Sequence, residues 1–454
     1  MELSKNDNIE LNIDALTSEG SGVGRYNGLA VFVRGTAPGD KIEAHIIKRS
    51  KNYAVGIVNK IISSGASRIE SDCPYSQRCG GCSFRHISYD EELKYKKDRV
   101  QEALTRIGGI DAKVDEIIAA DYVNGYRNKA QYPVSVADGK MLAGFYAYKS
   151  HRIIPCVDCR LQPVEFEAVL DGFSKWVEEC NISSYDENTG KGYLRHIYIR
   201  KAFETGELMA CAVVNSNSAR HADTLVRYLT EIKGMAGICF NFNTENSNVV
   251  LGNKTVTVWG RDYICDILLG KKFVISPHSF YQVNHSQCER LYAKAAELAE
   301  LKGSEVLLDL YCGVGTIGLT MADRVKKLIG IEIVPEAIEN ARLNAKLNNI
   351  DNAEFICADA PKGAEILKKQ GIKPNVIILD PPRKGCGKEL FDTVEQMSPE
   401  KIVYISCDPA TLARDLAILK EKNYIAQRVT AVDMFPRTPH VETVVLMSKV
   451  NPNK

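Results

Sequence analysis

The sequence predicts a multi-domain α/β protein: a small β-barrel over residues 1–62, a central α+β domain over 63–279, and a doubly wound parallel sheet over 280–454. Three observations carry the prediction. The chain has 454 residues, 45% of them hydrophobic, and a single core stops growing at about 250–300 residues, so several domains are required. Its opening segment is a series of short alternating strands broken by Gly and Pro. Its last third alternates apolar strands with helices in a regular rhythm.

The first domain reads as IELNIDAL, SEGSGVGRYNG, LAVFVRG, TAPGDKIEAHII and NYAVGIVNKII, short strands at close spacing in the size class of an OB-type barrel. Its segment from His45 to Lys51 is basic, with Tyr53 close behind, a combination suited to RNA backbone. The central region opens with a cysteine cluster and the helical stretch YDEELKYKKDRVQEALTRIG. The runs YRNKAQYPV, MLAGFYAY, YLRHIYIRKA, ELMACAVVN and GICFNFN follow, and their alternation predicts an antiparallel sheet. Helical patterns FEAVLDGFSKWVEEC and ADTLVRYLTEI lie between them. In the last domain EVLLDLYC, KLIGIEI, AEFICAD, NVIILD and KIVYIS alternate with helices, and IAQRVTAVDMF and HVETVVLMSK close the chain as an antiparallel hairpin on one edge.

Net charge carries no polyanion signal: 58 Lys+Arg balance 57 Asp+Glu, a formal +1, although an average over several domains hides any local basic face. No apolar run reaches the ~18–20 residues of a membrane helix, and the N-terminal MELSKNDNIELNID is too polar for a secretory signal, so a cytoplasmic protein is expected. In that reducing setting the 14 cysteines are not a disulfide framework. Each is a buried small hydrophobe, a metal ligand or a nucleophile.

The strand-to-helix turn VLLDLYCGVGTIGL places Asp309 ahead of Gly313, Gly315 and Gly318, where backbone comes close to a cofactor. That spacing alone equally suits NAD. The next strands end in Glu332, Asp359 and Asp380, and carboxylates there accept hydrogen bonds from ribose hydroxyls and an adenine amino group. The pattern resembles the S-adenosylmethionine (SAM)-dependent methyltransferases with a Rossmann-like seven-stranded fold. NAD enzymes usually lack the terminal hairpin and an Asp-Pro-Pro motif.

Ser406-Cys407-Asp408-Pro409 stands at the end of the fifth strand beside Asp380, whereas packing cysteines normally sit inside strands and helices. His440 and Glu442, two residues apart at the start of the last strand, share one side of it, and either suits a general base. Asp380-Pro381-Pro382-Arg383-Lys384-Gly385, Ser406-Cys407-Asp408-Pro409 and His440-Val441-Glu442-Thr443, with SPHSFYQVN from Ser276 and LYCGVG from Leu310, resemble the RNA uracil-C5 methyltransferase family along the whole chain. That resemblance implies Cys407 as the nucleophile toward uracil C6 and Glu442 as the base that removes the C5 proton. It implies SAM contacts from Gln282, Tyr311, Glu332 and Asp380, with Thr316 and Asp359 as further contacts. Cys312, in the glycine turn, is the rival nucleophile, with packing its expected role. Amino-group methyltransferases acting on adenine resemble the Asp-Pro-Pro motif too, but carry an aromatic residue where this chain has Arg383, and their chemistry needs no cysteine.

Cys73, Cys79 and Cys82 form C-x5-C-x2-C, with Cys156 and Cys159 far along the chain, and zinc and iron–sulfur clusters both accept four such ligands. The family resemblance implies a 4Fe-4S cluster on Cys73, Cys79, Cys82 and Cys159, the last in a Cys-x-x-Gln context, with Cys156 as the competing fourth ligand. The remaining cysteines are expected to pack. The barrel resembles a TRAM domain. Arg127, Lys129 and Gln131 on one strand, and Arg195, His196 and Arg200 on another, are expected to meet RNA, and Phe280 to stack on a flipped-out uracil. Because tRNA enzymes of the family the chain resembles commonly lack both barrel and cysteine cluster, the resemblance implies a uridine of 23S ribosomal RNA rather than the T-loop uridine of tRNA. A non-catalytic RNA-binding or assembly factor would not need the intact Cys407 and Glu442.

Overall fold

The computed structural model describes residues 3–450. The barrel consists of β1 (Asn8–Asn12), β2 (Ala15–Leu16), β3 (Gly22–Tyr26), β4 (Leu29–Val33), β5 (Lys41–Arg49) and β6 (Tyr53–Ser63), paired in the order β1-β5-β6-β4-β3-β2. Strand alternation turns Ile9, Leu11, Val31, Val33, Ile42 and Ile46 into its buried core.

After the thiol-bearing loop come α1 (Tyr89–Arg106) and β7 (Glu116–Ile118). The central sheet has seven strands, β8 (Lys129–Ala137), β9 (Lys140–Tyr146), β10 (Ile153–Pro155), β11 (Leu194–Lys201), β12 (Leu208–Val214), β13 (Met235–Phe242) and β14 (Lys254–Gly260), in the order β10-β9-β8-β11-β12-β13-β14. Helices α2 (Glu165–Glu179) and α3 (Ala222–Leu229) cover one face. The expected antiparallel sheet is in fact mixed: α3 is a crossover between β12 and β13, which therefore run parallel. Period two splits β12 between two cores. Ala210, Ala212 and Val214 pack under the helices, while Met209, Cys211 and Val213 join the core of the C-terminal half.

A hairpin of β15 (Ile264–Leu268) and β16 (Lys271–Ile275) leads through α4 (His285–Ala299) to the last sheet. Its chain order is β17 (Val306–Leu310), α5 (Thr316–Met321), β18 (Lys327–Glu332), α6 (Pro335–Leu347), β19 (Ala353–Cys357), α7 (Ala360–Lys369), β20 (Val376–Leu379), α8 (Lys388–Met397), β21 (Lys401–Ser406), α9 (Pro409–Glu421), β22 (Tyr424–Val432) and β23 (Glu442–Lys449). The spatial order is β19-β18-β17-β20-β21-β23-β22, with β23 antiparallel to both neighbours, as the doubly wound fold with a terminal hairpin requires. An eighth strand, β7, pairs parallel to β22, and Val100 and Leu104 of α1 enter the core below it. Residues 89–118 thus build onto the C-terminal sheet. Among the described residues no helix is long and apolar enough to cross a membrane.

Candidate active site

A cleft of about 750 Å³ opens at the carboxyl ends of the parallel strands. Gln282, Tyr311, Thr316, Glu332 and Asp359 line it together with Asp380, Cys407 and Glu442. Strand order explains the convergence: β18 and β20 flank β17, and β21 and the antiparallel β23 continue the sheet, so the ends of the parallel strands and the start of β23 meet at one edge.

The turn after β17 is tight. Gly315 (φ +84°) caps α5, and a Cβ on Gly318 would lie 2.9 Å from an Asp309 carboxylate oxygen. That oxygen accepts from the Gly318 amide at 2.9 Å, whereas its twin is buried without a partner, and burial pushes the Asp309 acid up to about 8. Glu332 is held by the amides of Gly313 at 3.1 Å, Ile333 at 2.7 Å and Val334 at 2.9 Å. Asp359 caps α7, accepting from the Lys362 amide at 3.0 Å. Tyr311 adopts φ +68°, and the Thr316 hydroxyl lies 3.3 Å from that of Tyr292. Gln282 is nearly buried, and Asn128, just before β8, donates to its carbonyl at 2.8 Å.

Cys407 sits between the end of β21 and the start of α9, whose cap, Asp408, accepts from the Thr411 amide at 2.8 Å. A helix N-terminus favours a thiolate. Burial opposes this more strongly: with the Glu442 carboxylate nearby it pushes the thiol up to about 11, and only the Arg383 guanidinium counters the neighbouring acids Glu442 and Asp380. Glu442 is buried at the start of β23; desolvation, then Asp380, raises it to about 8. Burial raises Asp380 to about 7. His440 is lowered to about 4 by burial and then by Arg383, so it stays neutral, with its ring edge-on to Phe435 at 6.1 Å. Cys312 is buried in the cleft wall, where desolvation pushes its thiol well above the usual range.

The strap between β22 and β23, which delivers Phe435, His440 and Glu442, is fastened from α1 and the thiol loop. Lys96 is wholly buried between Glu92 at 2.6 Å and Asp433 at 2.5 Å. Arg99 donates to the Pro439 carbonyl at 2.7 Å, and the Tyr126 hydroxyl to that of Pro436 at 3.0 Å. The Ser83 and Phe84 amides, next to Cys82, donate to the Arg437 carbonyl at 2.9 and 3.2 Å.

Several expected RNA contacts lie elsewhere. Arg195 and Arg200 are buried and donate to main-chain carbonyls of Asn243, Glu245, Ser276 and Ser279. Burial lowers their neighbour His196 to about 4. Both faces of their sheet are covered, which alternation along a strand does not reveal. Arg127 and Lys129 also part company: Arg127 lines the thiol cavity, while Lys129 lines the cleft, where burial and then Arg200 and Arg127 lower it to about 8. Phe435 is a cleft residue that sequence patterns missed, and no local signal marks it; Lys129, expected as an RNA contact, lies in the cleft wall. Phe280 stands at the cleft mouth, 71% exposed.

Cys73, Cys79, Cys82, Cys156 and Cys159 line a second cavity of about 140 Å³. No carboxylate lines it, and among the described residues no group of His, Cys, Asp and Glu is arranged as a single-ion site. Arg85 borders it, 2% exposed, with Nε and Nη2 buried and unpartnered, as is Nε of Arg127. Of the cysteines expected to pack, Cys211, Cys239, Cys288, Cys312 and Cys386 do, Cys180 and Cys265 are half-buried, and Cys357 is exposed.

Residues 249–450 match the tRNA (uracil-5-)-methyltransferase family, and residues 5–58 match the TRAM domain. A protein of Clostridium tetani described as an uncharacterized RNA methyltransferase is 45% identical over 98% of this chain and 97% of its own length. One of the same description from Halalkalibacterium halodurans is 42% identical over 99% and 98%. Among solved structures, the Pyrococcus abyssi tRNA (uracil-54, C5)-methyltransferase in complex with S-adenosyl-L-homocysteine has a TM-score of 0.79 and 28% identity, covering 96% of this chain and 99% of that one. Likeness of that extent, over barrel and cleft alike, means that the chain belongs to the RNA (uracil-5-)-methyltransferase family with an N-terminal TRAM domain.

Proposed function

We propose that the protein methylates C5 of a uridine in RNA at the expense of SAM, with Cys407 as nucleophile and Glu442 as base. The observation that carries this reading is the convergence of Cys407, Glu442 and Asp380 in one cleft at the end of the sheet. SAM fits there: Asp309, Asp380 and Glu442 all have raised pKa values that a cationic ligand would offset, and one Asp309 oxygen lacks a partner. Gln282, Tyr311, Glu332 and Asp380 would hold it, with Thr316 and Asp359 at the edges. When bound, it supplies an electrophilic methyl group on a sulfonium.

Uracil C5 is a weak nucleophile. Addition of the Cys407 thiolate forms an S–C6 bond and moves the C5=C6 electron pair into an enolate; its C5 would then bond to the methyl carbon as the methyl–sulfonium bond breaks, its electron pair going to sulfur and leaving a neutral thioether. Glu442, as a carboxylate, takes the C5 proton; C5=C6 re-forms and the S–C6 bond breaks, returning the thiolate. A base titrating near 8 is well matched to neutral pH. Arg383 beside Cys407 offsets the thiolate charge at both ends of the cycle, and Lys129 brings a cation to the wall of the same cleft.

The proposed target is a flipped-out uridine of 23S ribosomal RNA, met in the cytoplasm. The T-loop of tRNA is the second reading. The Pyrococcus abyssi tRNA enzyme is alike over 96% of this chain, barrel included, so the barrel by itself does not favour ribosomal RNA. We further propose that Cys73, Cys79, Cys82 and Cys159 hold a structural 4Fe-4S cluster. Five thiols, the absence of carboxylates among the lining and the unpartnered Nε and Nη2 of Arg85 and Nε of Arg127 suit a thiolate-bound group of negative charge, while the third Arg85 nitrogen is held by Asp72 at 2.9 Å.

The test incubates the enzyme and labelled SAM with ribosomal and transfer RNA transcripts containing 5-fluorouridine, whose C5 fluorine cannot leave as a proton. The expected result is a denaturant-resistant adduct that requires Cys407; no adduct with either RNA sinks the mechanism. Mapping the trapped nucleotide chooses between the two RNAs.

A further inference from the structure

The loop 382–386 brings Arg383 to the nucleophile, and it is anchored from α9, the helix that starts two residues after Cys407. Asp415 on that helix is fully buried and its carboxylate is engaged at both oxygens. One accepts from the Cys386 amide at 2.8 Å and the Tyr404 hydroxyl at 2.6 Å; the other accepts from the Arg414 guanidinium at 2.6 and 2.8 Å. Arg414 also donates to the Lys384 carbonyl at 2.8 Å. Gly385, between these two anchor points, has φ +74°, and a Cβ there would lie 2.3 Å from an Asp415 oxygen. Its amide closes a turn onto the Pro382 carbonyl at 2.8 Å.

We propose that Asp415 is a positioning residue for the reaction: it bolts the Arg383 loop to the helix that follows the nucleophile, so guanidinium and thiol keep one geometry through the cycle. The proposal rests on the reading of Cys407 as nucleophile. The charged groups facing Cys407 are Glu442 from β23, Asp380 from the end of β20, and Arg383 from this loop. Arg383 is the one cation of the three. Freeing the loop removes the cation and leaves both acids, so the thiol titrates higher and less of it is thiolate at neutral pH.

Asp415→Ala is compared with the parent in two measurements: the pH profile of Cys407 alkylation by iodoacetamide, followed by peptide mass spectrometry, and the rate of adduct formation with 5-fluorouridine RNA. The profile is expected to move up by about one pH unit and the adduct rate near neutral pH to fall about tenfold. Asp415→Asn, which keeps an oxygen acceptor for the Cys386 amide, is expected to recover most of the loss. Gly385→Ala presses on the same contact with the carboxylate intact; it is expected to act in the same direction, and it decides the matter if Asp415→Ala does not fold. Parent-like profiles and rates in the folded variants overturn the proposal. A parent enzyme that forms no adduct overturns the nucleophile reading instead, while the alkylation profiles still judge Asp415.

Discussion

Two sites in this molecule present cysteines, and the charged groups around them differ. In the cleft, Cys407 faces Glu442 and Asp380, with one arginine opposing them. In the thiol cavity five sulfurs face Arg85, Arg127 and Arg160, and no acid. Burial first, and then Glu442, push the Cys407 thiol up, and under the proposed mechanism a cationic cofactor would shift that balance. In the thiol cavity burial likewise pushes Cys82 up to about 11, with Arg85 opposing it, so the proposed cluster would itself have to hold these sulfurs as thiolates. The residue type is the same; the counter-charge differs. The Ser83 and Phe84 amides, next to Cys82, also hold the strap that carries His440 and Glu442.

The sharpest way to separate the two is to remove one sulfur from each. Cys407→Ser is expected to lower methyl transfer about 10⁴-fold with iron content unchanged. Cys82→Ser is expected to lower bound iron while a Cys407-dependent adduct still forms. Loss of the adduct in Cys82→Ser, with circular dichroism unaltered, breaks the division of labour. Next in size, Glu442→Gln is expected to slow release about 10²–10⁴-fold and so accumulate adduct on ordinary uridine RNA, read on a denaturing gel. Histidine at 440 taking over the base role would leave no such accumulation.

Between the sites, Lys96→Met removes the ammonium that bridges Glu92 and Asp433, leaving two buried acids side by side with only Arg437, 3.6 Å from Glu92, as a remaining cation. About 3–5 kcal/mol of stability should be lost in urea titration. A loss within experimental error would mean that the strap is held elsewhere. The smallest effect concerns pH. The buried Glu442 acid is raised from 4.5 to about 8, so the folded state prefers it protonated. Stability from that preference is complete below about 4.5 and is lost as pH rises toward about 8. Glu442→Gln should therefore raise the Tm of the cofactor-free protein more at pH 8 than at pH 5, by differential scanning fluorimetry. Equal shifts at both pH values contradict the raised acid.

Asp380, Cys407 and Glu442 were legible in the linear sequence because each stands at a strand terminus, and in a doubly wound sheet those termini share one edge. The thiols were legible by spacing. Arg195 and Arg200 were misread because alternation assigns a face without saying what covers it. The parallel pairing of β12 and β13 was missed because a short helix pattern between two strands does not announce a crossover. Lys96, Asp433 and Asp415 carry no motif at all; their importance arises from partners far away in the chain or from burial.

By itself the sequence determined the order of barrel, central domain and doubly wound sheet, and the residue types at the strand ends, because periodicity and turn chemistry are local properties of the chain. Tertiary structure alone decided that the central sheet shares a core with the C-terminal half, that α1 and β7 join the last sheet, and which acids and cations surround each thiol. Burial and charge neighbours are set by contacts between segments hundreds of residues apart, as with Lys96 and Asp433, and no local pattern encodes them.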